Sequence, residues 1–237
     1  MRRLLGPEDI HVWTAWLDGN ATSMTVLNAE ERRRADAFTL PRARADFIQG
    51  RTILRRVLAD YLAGDPASLG FTLGPHGKPA LVAGGDLRFN ASHSGTCLMI
   101  AVRRVQPIGI DVERRRALPN ACALARRFFT AAEAGQIEAL PAERQADGFR
   151  ALWTLKEAVV KAAGEALAYH LDRIEGTLNP DGTACLIAWH GMDSSLQIWS
   201  TVAFSPAPEY STTLATKLPA RPPIRRVWQG SNDGSLG

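Results

Sequence analysis

The spacing of apolar positions predicts a chain that alternates between strands and helices. Strands are predicted where apolar and polar residues alternate with period two, or where a short β-branched run lies between turn residues. Predicted strands cover residues 11–17 and the two arms of a turn within 71–81. A further strand begins at residue 89 and runs into a polar loop by residue 95, and the remaining strands cover 97–102, 107–112, 183–190, 196–204 and 211–216. The 97–102 and 107–112 strands are predicted to form a hairpin through Arg103 and Arg104, and the last three strands an antiparallel meander.

Helices are predicted where apolar residues recur every three or four positions. Asn28 is a plausible N-cap for a first short helix, and Thr130 followed by Glu133 has the spacing of a capping box. The predicted helices begin at Asn28, after Pro41, at Asn120, at Thr130 and at Phe149, and the last one ends at Gly164. Residues 218–237 are rich in Pro, Arg, Gly and Ser without periodicity, which predicts a wrapped or loose tail.

Composition narrows the class of protein without choosing a function. The 237 residues are 46% hydrophobic and 22% charged, enough for one large domain or two small ones with a buried core. A net charge of +4 favours anionic partners in general. No run of 18 apolar residues and no signal-peptide pattern is present, and three widely spaced cysteines suggest neither a disulfide framework nor a zinc site. We therefore expect a cytoplasmic protein that does not associate with membranes.

Two carboxylates in one predicted strand are the first candidates for chemistry. Asp111 and Glu113 are separated by Val112, so they project from the same face while Val112 points into a core. Their side chains would start about 6.6 Å apart, close enough for the oxygens to converge on one cation. The alternative is a pair of solvated acids at a sheet edge.

Three further groups have ordinary structural explanations beside their functional ones. Lys78, in a glycine turn, is either an exposed turn residue or a phosphate ligand. Ser92, His93 and Ser94, predicted in a polar loop, could donate hydrogen bonds to phosphate. Glu157 and Lys161, four residues apart on a helix, could be a surface ion pair that contributes about 0.2–0.5 kcal/mol. Glu133 is already explained as a helix-capping residue.

Five motifs in order resemble one family. They are GKP at Gly77, FNASHS at Phe89, GIDVE at Gly109, FF-x-x-x-E at Phe128 and W-x-x-KE-x-x-x-K at Trp153. The set resembles the 4′-phosphopantetheinyl transferases, of the long monomeric type that activates surfactin synthetase. The resemblance extends from about Asn28 to Ala215 and is sharpest between Gly77 and Gly164.

The resemblance implies a transferase that uses coenzyme A as substrate and Mg²⁺ as cofactor. Such an enzyme moves the phosphopantetheine arm to a serine of an acyl, peptidyl or aryl carrier protein and releases adenosine 3′,5′-bisphosphate. By the same resemblance, Asp111, Glu113 and Glu157 would hold the metal, and Lys161 would face the pyrophosphate. Glu157 is our first choice for the general base and Glu133 the second.

The resemblance also assigns the residues that grip coenzyme A. Lys78, Ser92 and His93 would hold its phosphates, and Arg34 and Arg44 would contact the 3′-phosphate. Glu31 stands at a position that is often basic in the family, so contacts at that edge are an open question. The identity of the carrier, from fatty-acid, polyketide, nonribosomal-peptide or siderophore synthesis, is also open.

The implied fold class is α+β. It consists of two similar α/β halves related by a pseudo-twofold axis, each with a small antiparallel sheet and a long helix. The expected division is a coenzyme A-gripping half (1–105), a metal-binding catalytic half (106–217) and a Pro/Arg-rich tail (218–237). We expect a monomer with no nucleic-acid partner, since no recognition motif accompanies the weak positive charge. A coenzyme A-binding regulator without catalysis is the alternative function.

Overall fold

A computed structural model describes residues 5–21, 23–166, 170–191, 199–217 and 221–230. The strands are β1 (Ile10–Trp16), β2 (Phe71–Leu73), β3 (Pro79–Leu81), β4 (Leu87–Ser94), β5 (Cys97–Arg104), β6 (Ile108–Arg114), β7 (Ile174–Leu178), β8 (Ala184–Trp189), β9 (Trp199–Phe204), β10 (Tyr210–Lys217) and β11 (Ile224–Val227). The helices are α1 (Ala29–Asp36), α2 (Pro41–Leu62), α3 (Ala121–Phe128), α4 (Ala131–Glu138) and α5 (Ala142–Ala163). The mixed α+β class is therefore confirmed.

Two small sheets organise the molecule, each with a long helix against it. Sheet 1 has the strand order β11-β1-β5-β4, and sheet 2 has the order β6-β10-β9. The pairs β2-β3 and β7-β8 form separate two-stranded ribbons. α2 and α5 each contain 22 residues, and each ends at a residue with left-handed backbone geometry, Ala63 or Gly164.

Three apolar layers hold these elements together. One buried cluster joins α2 to one face of sheet 1, and a second joins α5 to α3, α4 and the β7-β8 ribbon. A third lies between the two sheets and combines Val12, Met99 and Ala101 with Ile110 and Val112. The predicted inward orientation of Val112 is confirmed, since its side chain is 1% exposed.

Local signals place most helices correctly. Thr130 forms the predicted capping box and Asn28 is the predicted N-cap; the structure adds a capping box at Asn28 as well, with Glu31. The helix predicted from Phe149 begins earlier, at Ala142, because its first two turns are polar and show no apolar period. No helix in the described ranges is both long and apolar enough to cross a membrane.

The predicted hairpin between residues 97–102 and 107–112 is wrong. β5 is an inner strand of sheet 1, and both of its edges are already occupied, by β1 and by β4. β6 pairs instead with β10, about a hundred residues further along the chain, and becomes an edge strand of sheet 2. A short connection thus carries the chain from one sheet to the other.

Two other predictions are wrong. Ser92, His93 and Ser94 lie inside strand β4, where they pair with β5 through a tight turn at Gly95, and not in a loop. The last strands do not form a meander, because β8 pairs with β7 while β9 pairs with β10. Residues 196–198 of the predicted strand lie outside the described residues. Within the predicted tail, β11 pairs in parallel with β1, which agrees with a wrapped tail. Residues 218–220 and 231–237 of the tail lie outside the described residues.

Candidate active site

A ladder of polar side chains joins the edge strand of sheet 1 to the edge strand of sheet 2. On β4, Asn90 accepts a hydrogen bond from the backbone N–H of Ile110 at 2.8 Å. Two residues further, the Ser92 hydroxyl donates to Asp111 Oδ1 at 2.8 Å, and the Ser94 hydroxyl donates to Glu113 Oε2 at 2.9 Å. The period of two confirms that the two carboxylates share one face of β6.

Gly109 allows α5 to approach β6 closely enough to complete the cluster. A Cβ atom at this position would lie 2.1 Å from the carbonyl oxygen of Ala158 and 2.4 Å from the backbone nitrogen of Ala162. No side chain other than hydrogen fits there, so the helix backbone rests directly on the strand. The same stretch of α5 thereby brings Lys161 into contact with Asp111 on β6.

Lys161, on α5, contacts both β4 and β6. Its Nζ lies 2.6 Å from Asp111 Oδ1, 3.3 Å from Ser92 Oγ and 3.4 Å from Glu157 Oε2. The interpretation of Glu157 and Lys161 as a mere surface pair is therefore wrong, because the ammonium group bridges the helix and the strand. The solvated-acid alternative is excluded for Asp111, whose side chain is only 4% exposed.

Burial dominates the electrostatics of this cluster. It raises the pKa of Asp111 to about 7, outweighing the Lys161 ammonium and the Ser92 hydroxyl, which act to lower it. Burial alone would lower the pKa of Lys161, but the carboxylates of Asp111 and Glu157 raise it above its ordinary value. The charged form of Asp111 therefore depends on a nearby cation, and the Lys161 ammonium group supplies it.

The donor set suits a hard divalent cation, although it is not assembled as a ready-made metal site. Asp111 Oδ2 is buried and accepts no hydrogen bond from the described residues, so one carboxylate oxygen remains available. Among the described residues, no three acidic, histidine or cysteine side chains form a group that could hold a metal. Ser94 engages Glu113, and Lys161 contacts both Asp111 and Glu157. Carboxylate oxygens are nevertheless the ligands that Mg²⁺ prefers.

Lys78 links the β2-β3 turn to the second half of the chain. Its Nζ donates to the carbonyl oxygens of Ala162, at 2.8 Å, and Ile108, at 3.1 Å. Burial, with a smaller contribution from Arg88, lowers the pKa of Lys78 to about 8. It is thus a partly buried cross-link beside the active cluster, on the rim of a cleft of about 370 Å³. It is not the exposed turn residue that one alternative predicts.

The two arginines predicted to grip a phosphate differ in their surroundings. Arg34 lines a cleft of about 220 Å³ between α1, α2 and the β2-β3 ribbon, and its guanidinium lies 5.2 Å from the Phe47 ring centroid. Arg44 is paired with Asp36 at 2.9 Å, and it is not among the residues that line this cleft. The structure therefore brings Arg34, but not Arg44, to a space that could hold a ligand.

The acidic residue at the family's basic position is neutralised internally. Glu31 is 6% exposed, closes the capping box of Asn28, and pairs with Arg51 and with Arg55, the latter at 2.7 Å. Arg51 also lines the 220 Å³ cleft and lies over the Phe71 ring at 5.0 Å. A positive charge is thus present in this cleft although position 31 does not provide it.

His93 lies apart from the carboxylate cluster. Its neighbours Ser92 and Ser94 face β6, so strand alternation turns the exposed imidazole toward the opposite face of sheet 1. The structure therefore does not bring His93 to Asp111 or Glu113.

Glu133 and Lys156 form a second, fully buried pair. Their charged atoms lie 2.8 Å apart and both side chains are 0% exposed. Glu133 also accepts from the backbone N–H groups of Thr130 and Gly176, each at 2.9 Å, and Lys156 donates to the carbonyl oxygens of Leu171 and Ile174. These contacts tie α4, α5 and β7 together, which gives Glu133 a structural role.

Sequence reasoning missed Lys156 and Asn90. Lys156 is one of the polar residues of its helix, yet it lies four residues after Leu152 and three before Val159, on the apolar stripe. Asn90 shares the period-two pattern of Ser92 and Ser94, which would have placed all three side chains on one face of a strand. Both residues could thus have been found by extending the periodicity to polar positions.

An apolar cleft opens beside Glu113. It has a volume of about 390 Å³, and its lining combines apolar side chains with arginines. The lining residues are Glu113, Arg114, Arg116, Ala117, Leu118, Leu124, Phe128, Phe149, Arg150 and Trp153.

Comparison with known proteins identifies similar sequences over both halves. Residues 107–215 match the model of the 4′-phosphopantetheinyl transferase superfamily, and residues 11–104 match that of the N-terminal part of 4′-phosphopantetheinyl transferase. The chain is 36% identical over 186 residues to the 4′-phosphopantetheinyl transferase HetI of a Nostoc species, covering 76% of this chain and 78% of that protein. A 4′-phosphopantetheinyl transferase of Bacillus subtilis is 34% identical, with 67% and 70% covered. The transferase Sfp of the same species is 31% identical, with 69% and 71% covered.

Proposed function

Because the chain belongs to the 4′-phosphopantetheinyl transferase superfamily, we propose that it transfers the phosphopantetheine arm of coenzyme A to a serine of an apo carrier protein. The serine hydroxyl attacks the phosphorus that bears the pantetheine arm, a new P–O bond forms, and the pyrophosphate bond breaks. Adenosine 3′,5′-bisphosphate leaves, and the hydroxyl proton passes to a base. The chain is thus an enzyme, and no observation favours a regulator without catalysis.

The observation that supports this function best is the cluster of Asp111, Glu157, Lys161 and Ser92 where β4, β6 and α5 meet. Phosphoryl transfer requires positioned charge around the pyrophosphate more than it requires covalent chemistry by the protein. Two buried or half-buried carboxylates and an ammonium group within hydrogen-bond reach can supply such charge. They also lie on rigid elements, which favours precise positioning.

Asp111, Glu113 and Glu157 would hold Mg²⁺, on the strength of their oxygen donors and of Asp111 Oδ2, which accepts no hydrogen bond from the described residues. When bound, the metal would neutralise charge on the pyrophosphate oxygens. Lys161 would donate to the same phosphates. Glu157 is preferred over Glu133 as the base, because Glu133 is enclosed by its own hydrogen-bond partners.

The coenzyme A site extends from this cluster toward the first half of the chain. Arg34 and Arg51 line the 220 Å³ cleft and would attract the 3′-phosphate. Lys78 and Ser92 remain proposed phosphate ligands. To bind phosphate, Lys78 must break its hydrogen bond to a backbone carbonyl, and Ser92 must break its hydrogen bond to Asp111. Arg44 and His93 would need larger movements to reach the same ligand.

The two halves would act as a pair, with coenzyme A between residues 1–105 and 106–217. The family matches at 11–104 and 107–215 support this division, and so do the two 22-residue helices on small sheets. A pseudo-twofold relation between the halves is part of the proposal. The 390 Å³ cleft beside Glu113 would receive the carrier protein, because it opens next to a proposed metal ligand.

The test is a carrier-modification assay by intact-protein mass spectrometry. Purified protein, coenzyme A and Mg²⁺ should add one phosphopantetheine arm to an apo carrier domain. Glu157→Gln should lose this activity, whereas Glu138→Gln, which removes an exposed acid on α4, should retain it. Absence of any mass gain across a panel of acyl, peptidyl and aryl carriers, or coenzyme A binding without transfer, would overturn the proposal.

A further inference from the structure

Lys161 occupies the position from which a cation would contact the proposed metal ligands. Its ammonium group lies within 3.4 Å of three oxygen atoms, which belong to Asp111, Glu157 and Ser92. Two of these residues are proposed metal ligands. The amino group therefore performs, in this structure, the charge neutralisation that a metal ion would perform.

The two partners differ in their freedom to move. The carboxylate of Asp111 is 4% exposed and is anchored on its strand by the Ser92 hydroxyl. The side chain of Lys161 is 30% exposed, and it rests on four methylene groups with several rotatable bonds. When the cluster rearranges, Lys161 is the member that can leave.

A dication on Asp111 Oδ2 and the ammonium group on Oδ1 would repel each other across one carboxylate. At separations near 4 Å, like charges repel each other substantially in a partly buried site. A divalent ion at Asp111 would thus weaken the hold of Oδ1 on the ammonium group, and an anion placed nearby would accept it. The pyrophosphate of coenzyme A is such an anion.

From these contacts we infer that Lys161 is an internal counter-ion that keeps the metal site closed until coenzyme A arrives. This inference rests on the proposed function. When coenzyme A and metal enter together, Lys161 exchanges its bond to Asp111 for a bond to the pyrophosphate. In the protein alone, Lys161 competes with the metal and weakens its binding.

The inference predicts thermodynamic coupling between the two ligands. A ligand that draws the ammonium group away from Asp111 must tighten metal binding, and the metal must tighten binding of that ligand by the same factor. Removing the ammonium group should therefore strengthen the binding of metal in the absence of coenzyme A. A residue that served only to bind phosphate would not produce this effect.

Titration calorimetry with MgCl₂ on the protein without coenzyme A tests this competition directly. Lys161→Met should bind Mg²⁺ about tenfold more tightly than wild type, within the range usual for coupled sites. Lys217→Met removes the same charge from sheet 2, where the lysine lies over Trp199, and serves as the matched control. Its Mg²⁺ affinity should stay close to that of wild type.

A double variant tests whether the gain in Mg²⁺ affinity arises at Asp111. Combining Asp111→Asn with Lys161→Met should abolish the gain, because the gain depends on the freed carboxylate. Lys161→Gln also removes the charge but keeps a polar side chain, and it should bind Mg²⁺ as tightly as Lys161→Met does. Agreement between the two variants excludes a folding defect in one of them as the cause.

Equal or weaker Mg²⁺ binding by both neutral variants, or no detectable binding by any of them, would overturn the inference. The assay requires no catalysis, so it separates this inference from the proposed function. A wild-type protein that modifies carriers while Lys161→Met shows no gain in affinity would retain the function and refute the counter-ion role.

Discussion

Replacing Gly109 by alanine should damage both stability and catalysis, because this residue sets the distance between β6 and α5. The added Cβ would lie 2.1 Å from the carbonyl oxygen of Ala158 and 2.4 Å from the backbone nitrogen of Ala162. Real Cβ atoms essentially never approach other atoms closer than 3.0 Å, and both neighbours here are backbone atoms of a helix. The helix must therefore retreat, since no flexible side chain can yield.

The size of the effect follows from the required displacement. Moving from 2.1 Å to 3.0 Å shifts α5 by about 0.9 Å relative to β6. Overpacking of this kind costs about 1–3 kcal/mol of unfolding free energy, and rigid backbone on both sides favours the upper end. The same shift would stretch the 2.6 Å contact between Lys161 and Asp111. Misplacement of catalytic groups by about 1 Å can reduce a rate by about 10²-fold.

Urea unfolding and the carrier-modification rate should be measured together on this variant. Gly135→Ala is the matched control, because a Cβ there meets nothing within 4 Å and the position lies in helix α4. This control should gain about 0.5–1 kcal/mol from higher helix propensity and keep its activity. If Gly109→Ala unfolds at the same urea concentration as wild type and retains its rate, the close approach of strand and helix is not required.

Three further predictions concern other parts of the structure. Glu133→Gln should cost about 3–5 kcal/mol in urea unfolding because it leaves the Lys156 ammonium buried without its counter-charge. Adding Lys156→Met should recover much of the lost unfolding free energy. If the two substitutions instead lower the unfolding free energy additively, Glu133 and Lys156 do not act as a pair. Since burial lowers the pKa of Lys78 to about 8, the unfolded chain binds more protons than the folded one between about pH 8 and 10.5, so folding stability should rise with pH across that window. Lys78→Met should lack that rise, and an identical pH profile for both proteins would refute the assignment. Arg34→Ala should raise the KM for coenzyme A about tenfold or more through loss of a charge-assisted contact, while Arg44→Ala should change it little; the reverse order in steady-state kinetics would show that the 220 Å³ cleft is not the binding site.

Sequence predicts features that depend on neighbouring residues. The N-cap at Asn28, the capping box at Thr130, the start of α2 at Pro41 and the common face of Asp111 and Glu113 all follow from local rules of backbone geometry. The family resemblance and the matches to known transferases agree on the activity. These features need no knowledge of how distant segments pack.

Features that depend on distant partners are not predicted. The turn predicted at Arg103–Arg104, which are the last residues of β5 in the structure, does not reveal that β5 already has two neighbours, so the chain must leave sheet 1 before β6 begins. The polar composition of Ser92 to Ser94 suggests a loop. In the structure these residues form a strand, because pairing with β5 satisfies their backbone hydrogen bonds. Lys156 looks like a surface residue until Glu133, on another helix, supplies its counter-charge.

The parallel pairing of β11 with β1 has a consequence for the order in which the molecule is built. Residues near position 11 must wait for partners near position 224, more than two hundred residues later in synthesis. Sheet 1 therefore receives its last strand only after the segments of sheet 2 have been made. Contacts so distant in sequence slow folding, and an uncovered strand edge can pair with other chains in the meantime. A nascent chain that ends before β11 would thus present the open edge of β1 to its neighbours during translation.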